Sequence, residues 1–319
     1  MRGYLDTIPH PWTLNHIQNA MLSNFQEVAP AIDRTEGGKL WHDLKDLDDA
    51  IWILTTSIAE LQDEISVFGE RSKDGEFWSK TNEKDADRYV REVKRRLYYC
   101  TSAVMTLVDI ARNFSKKWPV DGLAEKRAEI FSVAGLHEFL QRLRNYNSHW
   151  RIAKADWRID YDFTVHTRTV KFLCAKEDLL KWDDWTVPSK IYIENCGENV
   201  DIYKAFSQYK NQVQQYYSWK KGMVLDRYSS ILQPFFKYKR MHEGLQQARN
   251  WNSLLSSASS SSNPYQFIVQ NFDRTQIETL LSYERNSEQQ IEALIRTINM
   301  ADFFDENLRN KINKFLKVD

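Results

Sequence analysis

Between Leu40 and Phe68 the apolar residues Leu40, Leu44, Leu47, Ile51, Leu54, Ile58, Leu61, Ile65 and Phe68 recur in alternating steps of four and three. That spacing lines one face of a helix, so the segment is a long amphipathic helix with a single apolar seam to bury. A second seam follows a polar, Gly-containing turn (Arg71 to Glu83): Val90, Val93, Leu97, Cys100, Val104, Leu107, Ala111 and Phe114. Pro119 and Gly122 end it, and a third seam reads Val133, Leu136, Leu140, Leu143, Asn147 and Trp150. A fourth starts near Val200 with Ile202, Phe206, Tyr209, Val213 and Tyr216. Long helices with short connections and seams of this period pack as an antiparallel four-helix bundle.

The period changes between Trp157 and Asn195. Asp160 to Val165 and Arg168 to Leu173 alternate and are rich in β-branched and aromatic residues, which predicts a hairpin. Lys176 to Trp182 reads as a short helix, Lys190 to Glu194 as a third strand, and Asn195-Cys196-Gly197 as a turn. The fold class expected is mainly α: the bundle, a small inserted β-hairpin or sheet, and a C-terminal helical appendage. By this division residues 1–37 are an N-terminal arm whose helix runs from Trp12 to Val28, bounded by Pro11 and Pro30. Residues 38–252 are the bundle with its insertion at about 157–195. Pro234 lacks the donor a helix interior needs, so a kink or break is expected near Ser230. Residues 253–265 are a Ser-rich linker and 266–319 the appendage.

Composition narrows the function classes. In 319 residues, 44 basic side chains balance 44 acidic ones, so no overall field draws the chain to nucleic acid or acidic membrane. Any nucleic-acid contact must come from a local patch. The three cysteines, Cys100, Cys174 and Cys196, match neither a zinc module nor a disulfide framework, which points to a reduced, cytoplasmic protein. Cys100 lies in a seam and reads as buried packing. The N-terminus has no basic stretch followed by an apolar run, and nowhere do eighteen apolar residues run together, so neither a secretory signal nor a membrane span is expected. With only ten glycines no phosphate loop of standard spacing occurs. Di-metal bundles use Glu-x-x-His, yet the positions three before His42, His137, His149 and His242 are Lys39, Ala134, Tyr146 and Lys239. Neither His137-Glu138 nor His242-Glu243 has the second His of a zincin motif, and Ser148 has no glycine elbow around it.

What remains is the run from Arg142 to Arg151, the densest group able to handle phosphate and protons. Leu143 and Trp150 are expected to hold this stretch to the bundle, with Arg144, Asn145 and His149 facing away. On an ideal helix Arg144 and His149 stand about 140° apart, whereas Asn145 and His149 are neighbours. Bringing Arg144 and His149 together therefore requires the helix to loosen near its end, the long Arg to reach around, or a second copy to supply its own pair. In the plainer reading Arg144 pairs with Glu138 or another carboxylate and His149 caps the helix C-terminus, where positive charge is favoured.

Arg144-Asn145-x-x-x-His149, at the end of the third seamed helix, resembles the signature of the HEPN (higher eukaryotes and prokaryotes nucleotide-binding) superfamily. In that family an Arg followed by a polar residue precedes a His by four to six positions. Arg142 also satisfies the longer spacing but is followed by Leu143. The resemblance covers about Leu40 to Tyr217 and leaves the arm, the β insertion and the tail outside it. It implies an endoribonuclease that needs no metal or other cofactor, acts as a homodimer with facing motifs, and serves as a toxin or anti-phage defence effector with an antitoxin or defence protein as partner. His149 would be the general acid or base, Arg144 would stabilise the phosphorane, and Asn145 would orient His149 or bind phosphate. Arg142, Arg151, Lys154 and Arg158 would form the local basic surface for RNA. The alternative is a non-catalytic helical module that binds a protein, a nucleotide or RNA.

Overall fold

The computed structural model describes residues 3–150, 152–162, 164, 167–257, 264–297, 303 and 306–316, and it is mainly helical with one small antiparallel sheet. Helix α1 (Leu14–Asp33) starts at Thr13, whose hydroxyl accepts from the His16 amide, and continues past Pro30 instead of ending before it. Its break falls at Asn24, which is extended (φ −156°, ψ 94°) and accepts the Gln26 amide on its own side chain, so the helix restarts there. Helix α2 (Glu36–Arg71) carries the first seam: eight of its nine residues are buried and Ile51 is half-buried. Helix α3 (Glu83–Lys117) buries the second seam from Val93 to Phe114, Cys100 included, and burial pushes that thiol up from its ordinary range. Arg96 ties α3 to α2 through Glu60 and Glu64.

A short helix that the sequence did not announce precedes the third seam, and the seam's own helix begins at Leu136, after Val133. Helix α4 (Leu123–Ile130) has no buried residue, and α5 (Leu136–His149) begins at Gly135, whose φ of +75° favours glycine. A Cβ on Gly135 would stand 1.9 Å from the Pro188 carbonyl, so only glycine allows this approach.

Strands β1 (Ala155–Asp162) and β2 (Thr167–Ala175) form the expected hairpin, with Trp157 opposite Phe172 and Ile159 opposite Val170; residues 163, 165 and 166 of its turn lie outside the described residues. Trp157 and Phe172 meet the ring of Phe68 at 5.7 and 5.3 Å, which docks the sheet on the end of α2. After α6 (Lys176–Leu180) comes a correction: Lys190–Glu194 is no strand but part of helix α7 (Val187–Asn195). Thr186 caps that helix, Pro188 suits its first turn, and the buried residues Ser189, Tyr192 and Ile193 share a helical face that a strand would split. The third strand is β3 (Asn199–Asp201), paired antiparallel with β2.

Helix α8 (Ile202–Arg227) buries the whole fourth seam, and Asp201 caps it by accepting the Lys204 amide. The helical run then breaks at Tyr228, before α9 (Ser229–Ser257), so Pro234 falls early in a new helix. Of the expected linker, residues up to Ser257 close α9, while 258–263 lie outside the described residues. Four short helices follow: α10 (Pro264–Asn271), α11 (Arg274–Leu281), α12 (Glu288–Thr297) and α13 (Glu306–Leu316).

The chain divides into two compact units, Leu40–Ser229 and Met1–Lys39 with Ser230–Asp319. In the second, Trp251, Ile268, Leu280, Ile291, Leu294 and Ile312 form a core, and the Tyr238 hydroxyl accepts the Trp12 amide at 3.0 Å. Residues 230–252, expected within the bundle, thus belong with the N-terminal arm and the tail. No described helix is long and apolar enough to cross a membrane.

Candidate functional site

At about 100° per residue, α5 has a buried stripe and two polar flanks. The stripe is Leu136, Phe139, Leu140, Leu143, Tyr146 and Asn147. Phe139 stacks on Trp185 at 5.5 Å, and Tyr146 stacks on the same ring at 5.6 Å while meeting Trp182 edge-on. The anchor expected at Trp150 is instead Tyr146: Trp150 is 42 % exposed, because the helix ends one residue before it and the seam's period no longer applies. Asn147 holds the other side. Its amide nitrogen donates to Thr101 on α3 at 3.3 Å, and its oxygen accepts the Ala153 amide at 2.9 Å, fixing the chain that leaves the helix. Truncating Asn147 would leave a buried amide unpaired, a loss of about 1–3 kcal/mol.

The flanks separate the motif. His137, Gln141, Arg144 and Ser148 lie along one, and Glu138, Arg142, Asn145 and His149 along the other. Arg144, half-buried, spans the ridge between them and donates from Nη1 to Asn145 Oδ1 at 3.3 Å. Among the described residues it makes no ion pair, so the pairing with Glu138 anticipated by the plainer reading is not what holds it. His149 is exposed in the last helical turn, and no described hydrogen bond joins it to Arg144. The helix does not loosen at this point, since the Trp150 amide still reaches the Tyr146 carbonyl at 3.2 Å. Arg144 and Asn145 are therefore brought together, and His149 is not. Arg142 is the arginine on the His149 side of the helix.

Of the other basic candidates, Lys154 is exposed and Arg151 lies outside the described residues. Arg158 pairs with Asp160 at 2.8 Å, and Asp160 also takes Lys171 at 2.9 Å. Those two partners, Lys171 foremost, hold the Asp160 carboxyl below its ordinary range.

A basic surface lies on α3, and the chain just after the motif reaches it. A groove of about 580 Å³ is lined by Arg91, Lys94, Arg95, Tyr98 and Tyr99 of α3 and by Ile152, three residues after His149. Positions 91, 94, 95, 98 and 99 follow the helical repeat, so they form one stripe on α3. Tyr98 and Tyr99 are 38 % and 49 % exposed. The Arg95 guanidinium lies 5.3 Å over the Tyr99 ring and pairs with Glu92, whereas Arg91 and Lys94 make no ion pair among the described residues. Cations beside open aromatic faces suit a single-stranded nucleic acid: its phosphates meet the charges and its bases stack on the rings. The signal was present in the sequence as a basic and aromatic repeat on the face opposite the Cys100 seam.

Among the described residues no three His, Cys, Asp or Glu side chains are grouped so as to hold a metal ion. No family model, no curated protein and no solved structure matches this chain.

Proposed function

We propose that the chain is an endoribonuclease of HEPN type that works without metal, acting as a homodimer on RNA in toxin or anti-phage defence. In this reading α2, α3, α5 and α8 are the four helices of a HEPN-like bundle. The observation that carries it is the placement of the motif: Arg144 is free of any described carboxylate and bonded to Asn145, His149 is open to solvent, and the basic groove begins three residues further on.

The chemistry follows from these groups. The ribose 2′-oxygen attacks phosphorus, the bond to the 5′-oxygen breaks, and a 2′,3′-cyclic phosphate forms. One proton must leave the 2′-hydroxyl and another must reach the 5′-oxygen, so the step calls for a base and an acid. Two His149 side chains facing across a twofold axis supply both. Arg144 carries the charge that develops on the phosphorane, and Asn145 orients the Arg144 guanidinium it already binds. Because α5 stays regular through His149, the second copy is the route by which Arg144 and His149 share one phosphate. Arg142, on the His149 flank of α5 two turns earlier, with Arg91 and Lys94 in the groove, holds the backbone of the strand.

The test is cleavage of RNA by the full chain in excess EDTA. Wild type cuts, and His149→Ala and Arg144→Ala each abolish cutting while circular dichroism stays unchanged. Dependence on added metal, or undiminished activity in both variants, sinks the reading.

The second reading, a binding module without catalysis, draws on the separation of Arg144 and His149 within one chain. It retains RNA binding in the groove and predicts no cleavage under any condition.

A further inference from the structure

On the opposite flank of α5 a second hollow of about 490 Å³ lies among α3, α4, α5 and α8, within the size range of small-molecule sites. No carboxylate lines it, while Arg112, Lys116, Arg127 and Lys220 all do. Arg112 is occupied by Asp109; the other three make no ion pair among the described residues.

Lys220 is the unusual member. It is 2 % exposed and extends the fourth seam by one further step of four from Tyr216, where an apolar residue is expected. Its ammonium donates to Ser115 Oγ at 2.7 Å and approaches the Ala111 carbonyl at 3.5 Å, with the faces of Phe114 and Tyr217 at 5.0 and 5.7 Å. A buried charge ordinarily has a charged partner, and here the protein supplies only dipoles and rings. Desolvation by burial lowers its pKa to about 8, so at neutral pH it remains a cation in search of an anion.

The walls are aromatic and polar. Phe131 meets His137, Tyr209 and Tyr216 at 5.2, 5.8 and 5.6 Å. His137 donates from Nδ1 to the Tyr209 hydroxyl at 3.0 Å and accepts from Gln141 Nε2, so it is held neutral, and burial, then Arg127, lowers its pKa to about 4. Its charge therefore adds nothing to the site, and the cationic character comes from Lys116, Arg127 and Lys220.

We propose that this hollow binds a small organic phosphate bearing a planar ring, its phosphate against Lys220 and Arg127 and its ring against Phe131. Three unpaired cations call for a dianion more than for a carboxylate, and an Arg fork matches phosphate oxygens. Phe131 is half-buried and offers a ring face to a nucleobase or phenyl group, with the buried Tyr209 and Tyr216 packed behind it. This site is separate from the cleavage reading, since none of its lining residues belongs to the Arg144, Asn145 and His149 motif.

The test is calorimetric titration of the full chain at neutral pH with uridine 5′-phosphate, phenyl phosphate, inorganic phosphate and uridine. Both ring-bearing phosphates bind, and uridine and inorganic phosphate bind at least about tenfold more weakly. Lys220→Met and Arg127→Gln each weaken binding of uridine 5′-phosphate by about tenfold or more. Arg127 is exposed at the rim, so that variant reads the site even where Lys220→Met disturbs folding. Undiminished binding in Arg127→Gln, equal binding of uridine and uridine 5′-phosphate, or no binding of any anion overturns the proposal. A 5′-phosphorylated tetraribonucleotide binding as tightly as uridine 5′-phosphate overturns the assignment to a small molecule.

Discussion

The groove on α3 and the hollow beside α8 are both basic and aromatic, but they hold their charge in opposite ways. Arg91 and Arg95 are exposed and Lys94 is half-buried on a groove open to solvent, where water reaches them at little cost to the fold. Lys220 has been taken out of water and given one firm hydrogen bond. A change in the groove should therefore alter binding and leave stability alone, whereas a change in the hollow should register in stability before any ligand is added.

The largest effect belongs to His137. Its folded pKa of about 4 lies below the ordinary 6.5, so the unfolded chain binds the proton first as pH falls. Stability is then lost between pH 6.5 and 4, by about 3 kcal/mol in all. Urea melts across that range measure it, and His137→Gln should flatten the change. An equal slope in the variant would detach His137 from the effect.

Lys220 works in the other direction of pH. Its folded pKa is depressed from 10.5 to about 8, so the charged form opposes folding below pH 8 and the opposition fades as pH rises to 10.5. The desolvation amounts to about 3 kcal/mol, offset by about 1 kcal/mol for the lost hydrogen bond, so Lys220→Met should be more stable at pH 7 by about 2 kcal/mol. The gap between variant and wild type should close between pH 8 and 10.5. A variant less stable at pH 7 would mean that Lys220 is better paired than its two oxygen contacts indicate.

The smallest effect on the fold is expected in the groove. Arg91→Ala with Lys94→Ala should change the melting midpoint by no more than about 0.5 kcal/mol of stability. The same pair should weaken binding of a single-stranded oligoribonucleotide and reduce the salt dependence of that binding, because two phosphate contacts are gone. Unchanged affinity with a lowered melting midpoint would invert the comparison.

These differences explain how far the sequence could be read. The seams of α2, α3 and α8 were legible because nearly every step of three or four met an apolar residue that is in fact buried, with Ile51 of α2 and Val90 of α3 half-buried and the run from Ile202 to Tyr216 buried throughout. The same rule misplaced Trp150, since periodicity cannot show that a helix ends one residue earlier. Ile191, Tyr192 and Ile193 imitate a strand by composition, and only the Thr186 cap with Pro188 marks the helix. Lys220 sits in register with the fourth seam, but a charged residue gives no sign of burial in the sequence, and the partners that make it tolerable, Ser115 and Phe114, come from a distant helix, α3. The motif was legible as residue types; its division between two flanks of α5 followed only once the helix was seen to remain regular through His149.

The most direct measurement is the chemistry of the RNA ends left by the full chain in excess EDTA, read by mass spectrometry beside His149→Ala. The expected result is fragments ending in 2′,3′-cyclic phosphate from wild type and intact RNA from the variant. Fragments ending in 3′-hydroxyl, or the same fragments from both proteins, would contradict a cleavage site built on Arg144, Asn145 and His149.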